Sequence, residues 1–375
     1  MFTSDLKILR EQFVAEGFDI RAAGGAVRDF LLKISPHDID FCTNANPDEQ
    51  KAVYDKYGVH YFETGIKHGT ITVSLNHQCY EITSLRVDTN TDGRWAEVKF
   101  VSDWKLDSER RDLTINSMMM TFNHQIIDHF NGINDLQNGV IRLVGDANKR
   151  LQEDYLRILR CYRFWGRFGK GEMLQETQDA ITKNAEGLKN ISRERIWQEM
   201  YKILLHENCY QILSLMKKNG VFPYINIHPE VNVETVRYFR DLTTEPVVLL
   251  AIFCMSMPDN NHGLGFFDKL CIDWKLSSEE AALGKFVVKN FWTFTIKEAK
   301  EKLTENVNRK HIFETMKVRN IWYPGIEEWI PPVFPIKGQM LMEKFSGPEM
   351  GREIKKLRKI WYESNFSDAE VFKNI

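Results

Sequence analysis

The chain is poor in cysteine, with six in 375 residues and no C-x-x-C pair among them. Cys42, Cys79, Cys161, Cys209, Cys254 and Cys271 are scattered. That argues against a structural zinc site and for reduced, packed thiols in an intracellular compartment. No apolar run comes near the roughly 20 residues needed to cross a bilayer, so no membrane association is expected. Neither sign of charge is in excess: 50 Lys and Arg face 52 Asp and Glu, a formal net charge of −2. Any polyanion must therefore meet a local basic patch rather than a basic surface. Low-complexity tracts and internal repeats are lacking. So is an Arg-rich, acid-poor leader. The opening MFTSDLKILREQFVAEGFDI carries Asp5, Glu11, Glu16 and Asp19, so no intact mitochondrial presequence is expected, and one already removed stays open.

At this length two or three domains, or one elongated multi-module chain, are expected. LKILREQFVAEGF has helical periodicity, DIRAAGG is a strand entering a glycine turn, AVRDFLLK a short helix and DIDFCT a second strand. GTITVSL and QCYEITSLRV alternate and are β-branched, as in a hairpin. DTNTDGRWAEVKF is polar and turn-rich, a loop closing with a strand, and TINSMMMTF and QIIDHF complete the β-bearing part. After about Leu143 helical periodicity dominates, apart from the proline-rich break PPVFPIKG at Pro331 to Gly338. The class is α+β, a mixed head over 1–145 and an all-helical remainder.

Three constellations carry chemistry. In GGAVRDFLLKISPHDIDF, Gly24 and Gly25 lack a Cβ and let backbone N–H groups approach a phosphate at a helix N-terminus. Arg28, one turn in, can clamp a triphosphate. Asp38 and Asp40, alternating on a strand, face one side and can hold Mg²⁺. A lone G-G is usually a turn and a lone D-x-D a solvated strand end; the order strand, turn, helix, strand is what makes the pair specific. Glu81 is either a third carboxylate beside them or an exposed strand glutamate. In ERRDLTINSMM, Arg110 and Arg111 can reach phosphate, Asp112 can fix a guanidinium and Asn116 can bond a ribose, or the stretch is a capped element with surface ion pairs. In EDYLRILRCYRFWGRFG, Asp154, Arg157, Arg160 and Arg163 recur every three residues, opposite Ile158, Tyr162 and Trp165 on a helix. A carboxylate accepts from an exocyclic amino group and a guanidinium donates to a ring nitrogen or carbonyl. Such a pair accepts cytosine and adenine and refuses uracil and guanine. The competing reading is a solvated basic face.

Taken together these stretches resemble the class II CCA-adding enzymes (tRNA nucleotidyltransferases) and the related bacterial poly(A) polymerases, across roughly the first 200 residues. GGAVRDFLLKISPHDIDF is similar to the family's metal motif, RRDLTINSM to its ribose and phosphate motif, EDYLRILRCYRF to its nucleotide-templating motif, and ERIWQE (Glu194 to Glu199) to the motif that steadies the templating helix. IKHGTITVSL and TDGRWAEVKF resemble the animal forms most, and FSGPEMGREIKKLRKIW the family's C-terminal end.

The resemblance implies a seahorse of four parts. These are a polymerase-β-like palm with a mixed sheet over 1–145, a base-recognising neck over 146–205, a helical body over 206–330 and a tRNA-binding helical tail over 331–375. It implies Mg²⁺ at Asp38 and Asp40; Glu81 stays a candidate third catalytic carboxylate on the residue reading alone. Gly24, Gly25, Arg28, Arg110, Arg111, Asp112 and Asn116 would handle triphosphate and ribose. Asp154 and Arg157 would read the base, supported by Arg160 and Arg163, while Glu194, Arg195 and Glu199 would steady the helix. The activity implied is untemplated addition of C, C and A to tRNA from CTP and ATP, with release of pyrophosphate. RVDTNTDGR (Arg86 to Arg94) is similar to the loop that switches C addition to A addition. The cluster GREIKKLRKIWYESNF, with Lys355, Lys356, Arg358 and Lys359 beside Trp361 and Tyr362, either meets tRNA phosphates or is a solvated helix face. PHDID is unlike a phosphohydrolase motif, so no hydrolytic activity is expected. Animal members imply a mitochondrial, cytoplasmic or nuclear location, and oligomeric state stays open. A poly(A) polymerase and a non-catalytic RNA-binding relative are the alternatives.

Overall fold

The computed structural model describes residues 2–36, 38–89, 97–256 and 263–374. By internal contacts the chain forms two compact units, Met1–Glu230 with Asp273–Lys275, and Val231–Ile272 with Leu276–Ile375.

The first unit begins with α1 (Ser4–Ala15), which buries Leu6, Leu9 and Phe13 at helical spacing and is capped by the Thr3 hydroxyl. β1 (Ile20–Ala23) then runs into Gly24, and α2 (Gly25–Leu31) leads to β2 (Phe41–Thr43). α3 (Pro47–Tyr57) has a full capping box from Asn46 and Glu49 and a left-handed Gly58 at its end. β3 (His60–Gly65), β4 (Thr70–Leu75) and β5 (Gln78–Ser84) follow. β4 and β5 form the expected hairpin, turning at Asn76 and His77, both with positive φ, as a two-residue hairpin turn requires. β6 (Arg86–Thr89) pairs with β7 (Glu97–Phe100) in a separate two-stranded ribbon. The expected loop thus opens with a strand, and its stretch 90–94 lies outside the described residues.

α4 (Trp104–Glu109) precedes β8 (Met119–Met120) and β9 (Ile126–Ile127). The main sheet has the order β3-β4-β5-β2-β1-β8-β9, with β2 and β5 its one parallel pair among the described residues. The rest of the unit is helical: α5 (Gly132–Asn138), α6 (Ala147–Glu153), α7 (Arg157–Phe168), α8 (Gln175–Asn184), α9 (Arg193–Leu204) and α10 (Cys209–Lys218). An α+β head followed by helices is the architecture the residue patterns predict.

The second unit holds α11 (Glu234–Arg240), α12 (Pro246–Met255), α13 (Leu264–Asp273), α14 (Ser278–Asn290), α15 (Ile296–Thr304), α16 (Arg309–Val318), α17 (Gly325–Glu328), α18 (Gly347–Glu363) and α19 (Asp368–Phe372). α12 is apolar all round and buried from Pro246 to Cys254, as a helix enclosed by others must be. A small C-terminal core gathers Ile336, Leu341, Leu357, Trp361 and Val371. Trp361 is therefore a core residue rather than a surface neighbour of the basic cluster, because α18 turns its apolar stripe inward. Tyr362 packs against the same core. Five cysteines are buried as expected, but Cys79 is exposed on β5.

Candidate active site

Gly24 has φ +67° and ψ −125°, a conformation that a Cβ makes costly. A Cβ there would also stand 2.9 Å from Arg111 Nη1. The bend turns the chain from β1 into α2, whose first N–H groups, at Gly25 and beyond, are left without helical acceptors. Arg28 is buried on that first turn. Its Nε and Nη2 donate to Asp29 Oδ1 at 2.9 and 2.8 Å, and its Nη1 donates to Asn116 Oδ1 at 2.6 Å. Its guanidinium lies 4.6 Å over the Phe168 ring.

From Asn116 the network continues. Asn116 Nδ2 donates to Asp112 Oδ1 at 3.2 Å, and Arg160 Nε and Nη2 both reach Asp112 Oδ2 at 2.6 Å. Burial disfavours the Asp112 carboxylate, yet Arg160, the Leu113 N–H and Asn116 outweigh it and hold the group below the ordinary aspartate range. Arg110 and Arg111 are gathered by buried Asp107, which receives Arg110 Nε at 2.8 Å and Arg111 Nη2 at 3.0 Å. Burial again opposes ionisation there, and Arg111 with Arg110 overcomes it. Asp107 escapes a reading of the sequence motifs, although its place on the last turn of α4, three and four residues before the two arginines that follow the helix, is the signal that finds it.

Asp154 does not share a helix with Arg157. It is the extended end of α6, with φ −151°, and α7 starts only at Arg157. The reason is local: Asp154 Oδ1 accepts the Leu156 N–H at 3.0 Å, a turn that competes with helix. Asp154 Oδ2 accepts Arg195 Nη2 at 2.8 Å, so its partner is Arg195 and not Arg157. Arg157 is pinned separately, Nη1 to Arg150 O at 2.8 Å and Glu153 Oε2 at 2.6 Å, and Nη2 to Arg110 O at 2.9 Å. Arg163 Nε donates to buried Glu199 at 2.6 Å, tying α7 to α9. Glu194 stands exposed on the first turn of α9 and makes no ion pair among the described residues. Within α7, Ile158 and Tyr162 are buried and Trp165 is half-buried, so the face opposite the arginines is core as expected.

These groups converge on a cleft of about 420 Å³, lined by Gly24, Gly25, Arg28, Asp40, Arg110, Arg111, Asp112, Asn116, Asp154, Arg157, Arg160 and Arg163, with Phe164. Phe164, which the sequence motifs do not single out, is an aromatic wall stacked under the Arg163 guanidinium at 4.2 Å. Asp40 also lines a second cavity of about 650 Å³ together with Asp38 and Glu81. Asp38 and Asp40 precede β2 rather than alternating along it. Pairing with β5 begins at Phe41, and β1 reaches back only through the Ala23 N–H to Asp40 O, 2.9 Å. Asp40 titrates above the ordinary aspartate value. Burial is the main cause, Arg111 pulls the other way and Asp38 adds to the rise. Among the described residues, no group of three His, Cys, Asp or Glu is placed to hold an ion, and the Asp38, Asp40 and Glu81 carboxylates make no hydrogen bond or ion pair. Lys355, Lys356 and Lys359 are exposed on α18, whereas Arg358 is half-buried, 5.0 Å over Phe334.

A family model described as the poly A polymerase head domain matches residues 20–142, and one described as the probable RNA and SrmB-binding site of polymerase A matches 172–234. The mouse protein named CCA tRNA nucleotidyltransferase 1, mitochondrial, is 38% identical over 98% of this chain and 88% of its own length. The chain belongs to the CCA tRNA nucleotidyltransferase family. Human CCA tRNA nucleotidyltransferase 1 shows the same 38% identity, with 98% of this chain and 88% of the human one covered. The solved CCA-adding enzyme of Bacillus stearothermophilus in complex with CTP superposes with a TM-score of 0.79, at 26% identity, over 97% of this chain and 94% of that one. The two cavities described above lie within the first unit, and Asp40 is the side chain they share.

Proposed function

We propose that this protein adds C, C and A in turn to the 3′ end of tRNA, using CTP and ATP without a nucleic-acid template. The observation that carries the reading is the single cleft in which a glycine turn, six arginines fixed by carboxylates or backbone carbonyls and the Asp154 carboxylate meet Asp40.

Gly24, Gly25, Arg28 and Arg111 receive the triphosphate, with Arg110 and Asp112 behind them and Asn116 at the ribose. Arg157 has five N–H groups, of which three are engaged within the protein, so two remain for a base. Asp154 keeps one lone pair on each oxygen after Leu156 and Arg195 are served. An amino group beside an acceptor suits this pair, and cytosine and adenine both present one. Arg160 and Arg163 shape the cleft, and Arg195 with Glu199 fixes the reading edge. Glu194 joins this set as a first-turn acid of α9.

Asp38 and Asp40 fit a divalent ion: their oxygens are uncommitted, and Mg²⁺ commonly takes one or two carboxylates and completes its shell with water and phosphate. When bound, Mg²⁺ supplies positive charge at the attacking and leaving oxygens. The RNA 3′ oxygen bonds to the α-phosphorus, the bond from that phosphorus to its bridging oxygen breaks, and pyrophosphate leaves with the electron pair. The hydroxyl proton passes to water beside Glu81.

The parts are a palm over 1–145, a neck over 146–205, a body over 206–330 and a tRNA-binding tail over 331–375 that uses Lys355, Lys356, Arg358 and Lys359. The names of the mouse and human relatives support a mitochondrial location. The test is incorporation of each labelled nucleotide into a tRNA ending at its discriminator base, with Mg²⁺. C, C and then A is the expected product, whereas long A tails without C would make the protein a poly(A) polymerase.

A further inference from the structure

Arg28 stands on α2, yet the aromatic rings that face its guanidinium come from α7. Its central carbon lies 4.6 Å from the centre of the Phe168 ring and 5.2 Å from that of Phe164. The two rings stack on each other, 6.0 Å apart and 16° from parallel. Phe164 also lies under Arg163 at 4.2 Å and Arg160 at 5.4 Å, and Phe168 under Arg167 at 4.8 Å. Guanidiniums so gathered repel one another, and Arg163 and Arg167 both act on Arg28. The negative faces of the rings offset that repulsion and fix where each cation sits. Phe168 is only half-buried, at the last residue of α7, so core packing alone is a weak reason for a ring there.

Helix geometry ties these rings to the base-reading residue. Phe164 and Phe168 follow Arg157 by seven and eleven residues on α7. At roughly 100° per residue the three lie within about 20° of one line along the helix, and at about 1.5 Å per residue the rings stand roughly 10 and 16 Å beyond Arg157. One stripe of α7 therefore carries the base-reading guanidinium at its start and the seat of Arg28 at its end. Asp29 and Asn116 engage three of the five Arg28 N–H groups, which leaves two for a phosphate. The rings decide the plane in which those two point.

We propose that Phe164 and Phe168 are positioning residues for the triphosphate, a role that rests on the function proposed above. They set the plane of the Arg28 guanidinium, so the helix that reads the base also aims the phosphate clamp.

Phe168 carries the test, because a half-buried helix end tolerates replacement better than the buried Phe164. Phe168→Leu keeps an apolar side chain and removes the aromatic face, whereas Phe168→Tyr keeps the face. The measurement is steady-state addition by the full-length chain to tRNA that lacks its CCA end. Phe168→Leu should raise KM for CTP and for ATP alike, by about tenfold, the weight of a desolvated guanidinium–ring contact. KM for the tRNA and the preference for C over U should stay as they were, because Asp154 and Arg157 are held by other partners. Phe168→Tyr should stay within about twofold of the parent chain. A general loosening of α7 would instead spoil the choice of base. An unchanged KM for CTP in Phe168→Leu, a Phe168→Tyr chain as impaired as Phe168→Leu, or U added alongside C would each overturn the positioning role and leave the function standing. A parent chain that adds no C would overturn both.

Discussion

Two residues set the terms of the chemistry. Asp40 is the one side chain that both cavities share, and its carboxylate has no internal partner among the described residues. Asp40→Asn keeps the size and removes the charge, so kcat should fall about 10³-fold, the equivalent of several kcal/mol of transition-state stabilisation, with the fold intact by circular dichroism. Gly24 carries the opposite constraint, since its role depends on lacking a side chain. With φ +67° and Arg111 Nη1 2.9 Å from where a Cβ would stand, Gly24→Ala meets both strain and a clash. A loss of about 1–3 kcal/mol is expected in denaturant unfolding, together with a raised KM for CTP. A variant of full stability would mean that α2 can re-enter the cleft by another path.

Among the elements, α7 and α9 act as one piece because Arg163 reaches Glu199, a residue on the next helix but one. Glu199→Gln leaves a largely buried guanidinium without its counter-charge and should cost about 3 kcal/mol in chemical denaturation. Removing both charges in Arg163→Met with Glu199→Gln should restore part of it. The sequence shows that α7 has an arginine face and an apolar face, since helical spacing is local information. It does not show that Asp154 sits outside the helix, because its carboxylate could serve either a helix or the local turn to Leu156, and the partner that holds its other oxygen, Arg195, lies 41 residues on. Likewise the D-x-D spacing predicts strand alternation, but where β2 begins is decided by β1 and β5. Trp361 is legible as aromatic and helical, yet its direction is fixed by Leu341 and Val371 around it. The Gly24–Arg28 and Arg110–Asn116 stretches are legible as candidates from local order alone, while their meeting in one cleft comes from the fold.

For the whole chain, acid and salt should act on different parts. Asp107 and Asp112 are both held below the ordinary aspartate value of about 3.9, burial being outweighed by Arg111 at the first and Arg160 at the second. Groups depressed in the folded state stabilise it above their unfolded value and lose that contribution as pH falls toward the folded one. The melting temperature should be level near neutrality and drop below about pH 4, less steeply in Asp112→Asn. Salt should instead weaken tRNA binding, and replacing Lys355, Lys356 and Lys359 with alanine should flatten the log–log dependence by about one unit for each phosphate no longer neutralised. The pinning of Asp154 and Arg157 has one more consequence. A nucleic-acid template advances a step after every addition, so it records how far synthesis has gone. Arg157 and Asp154 are bolted to α6, α9 and the Arg110 carbonyl. On the function proposed above, such an edge meets every incoming base in the same place and keeps no tally, which leaves the count to the growing RNA end.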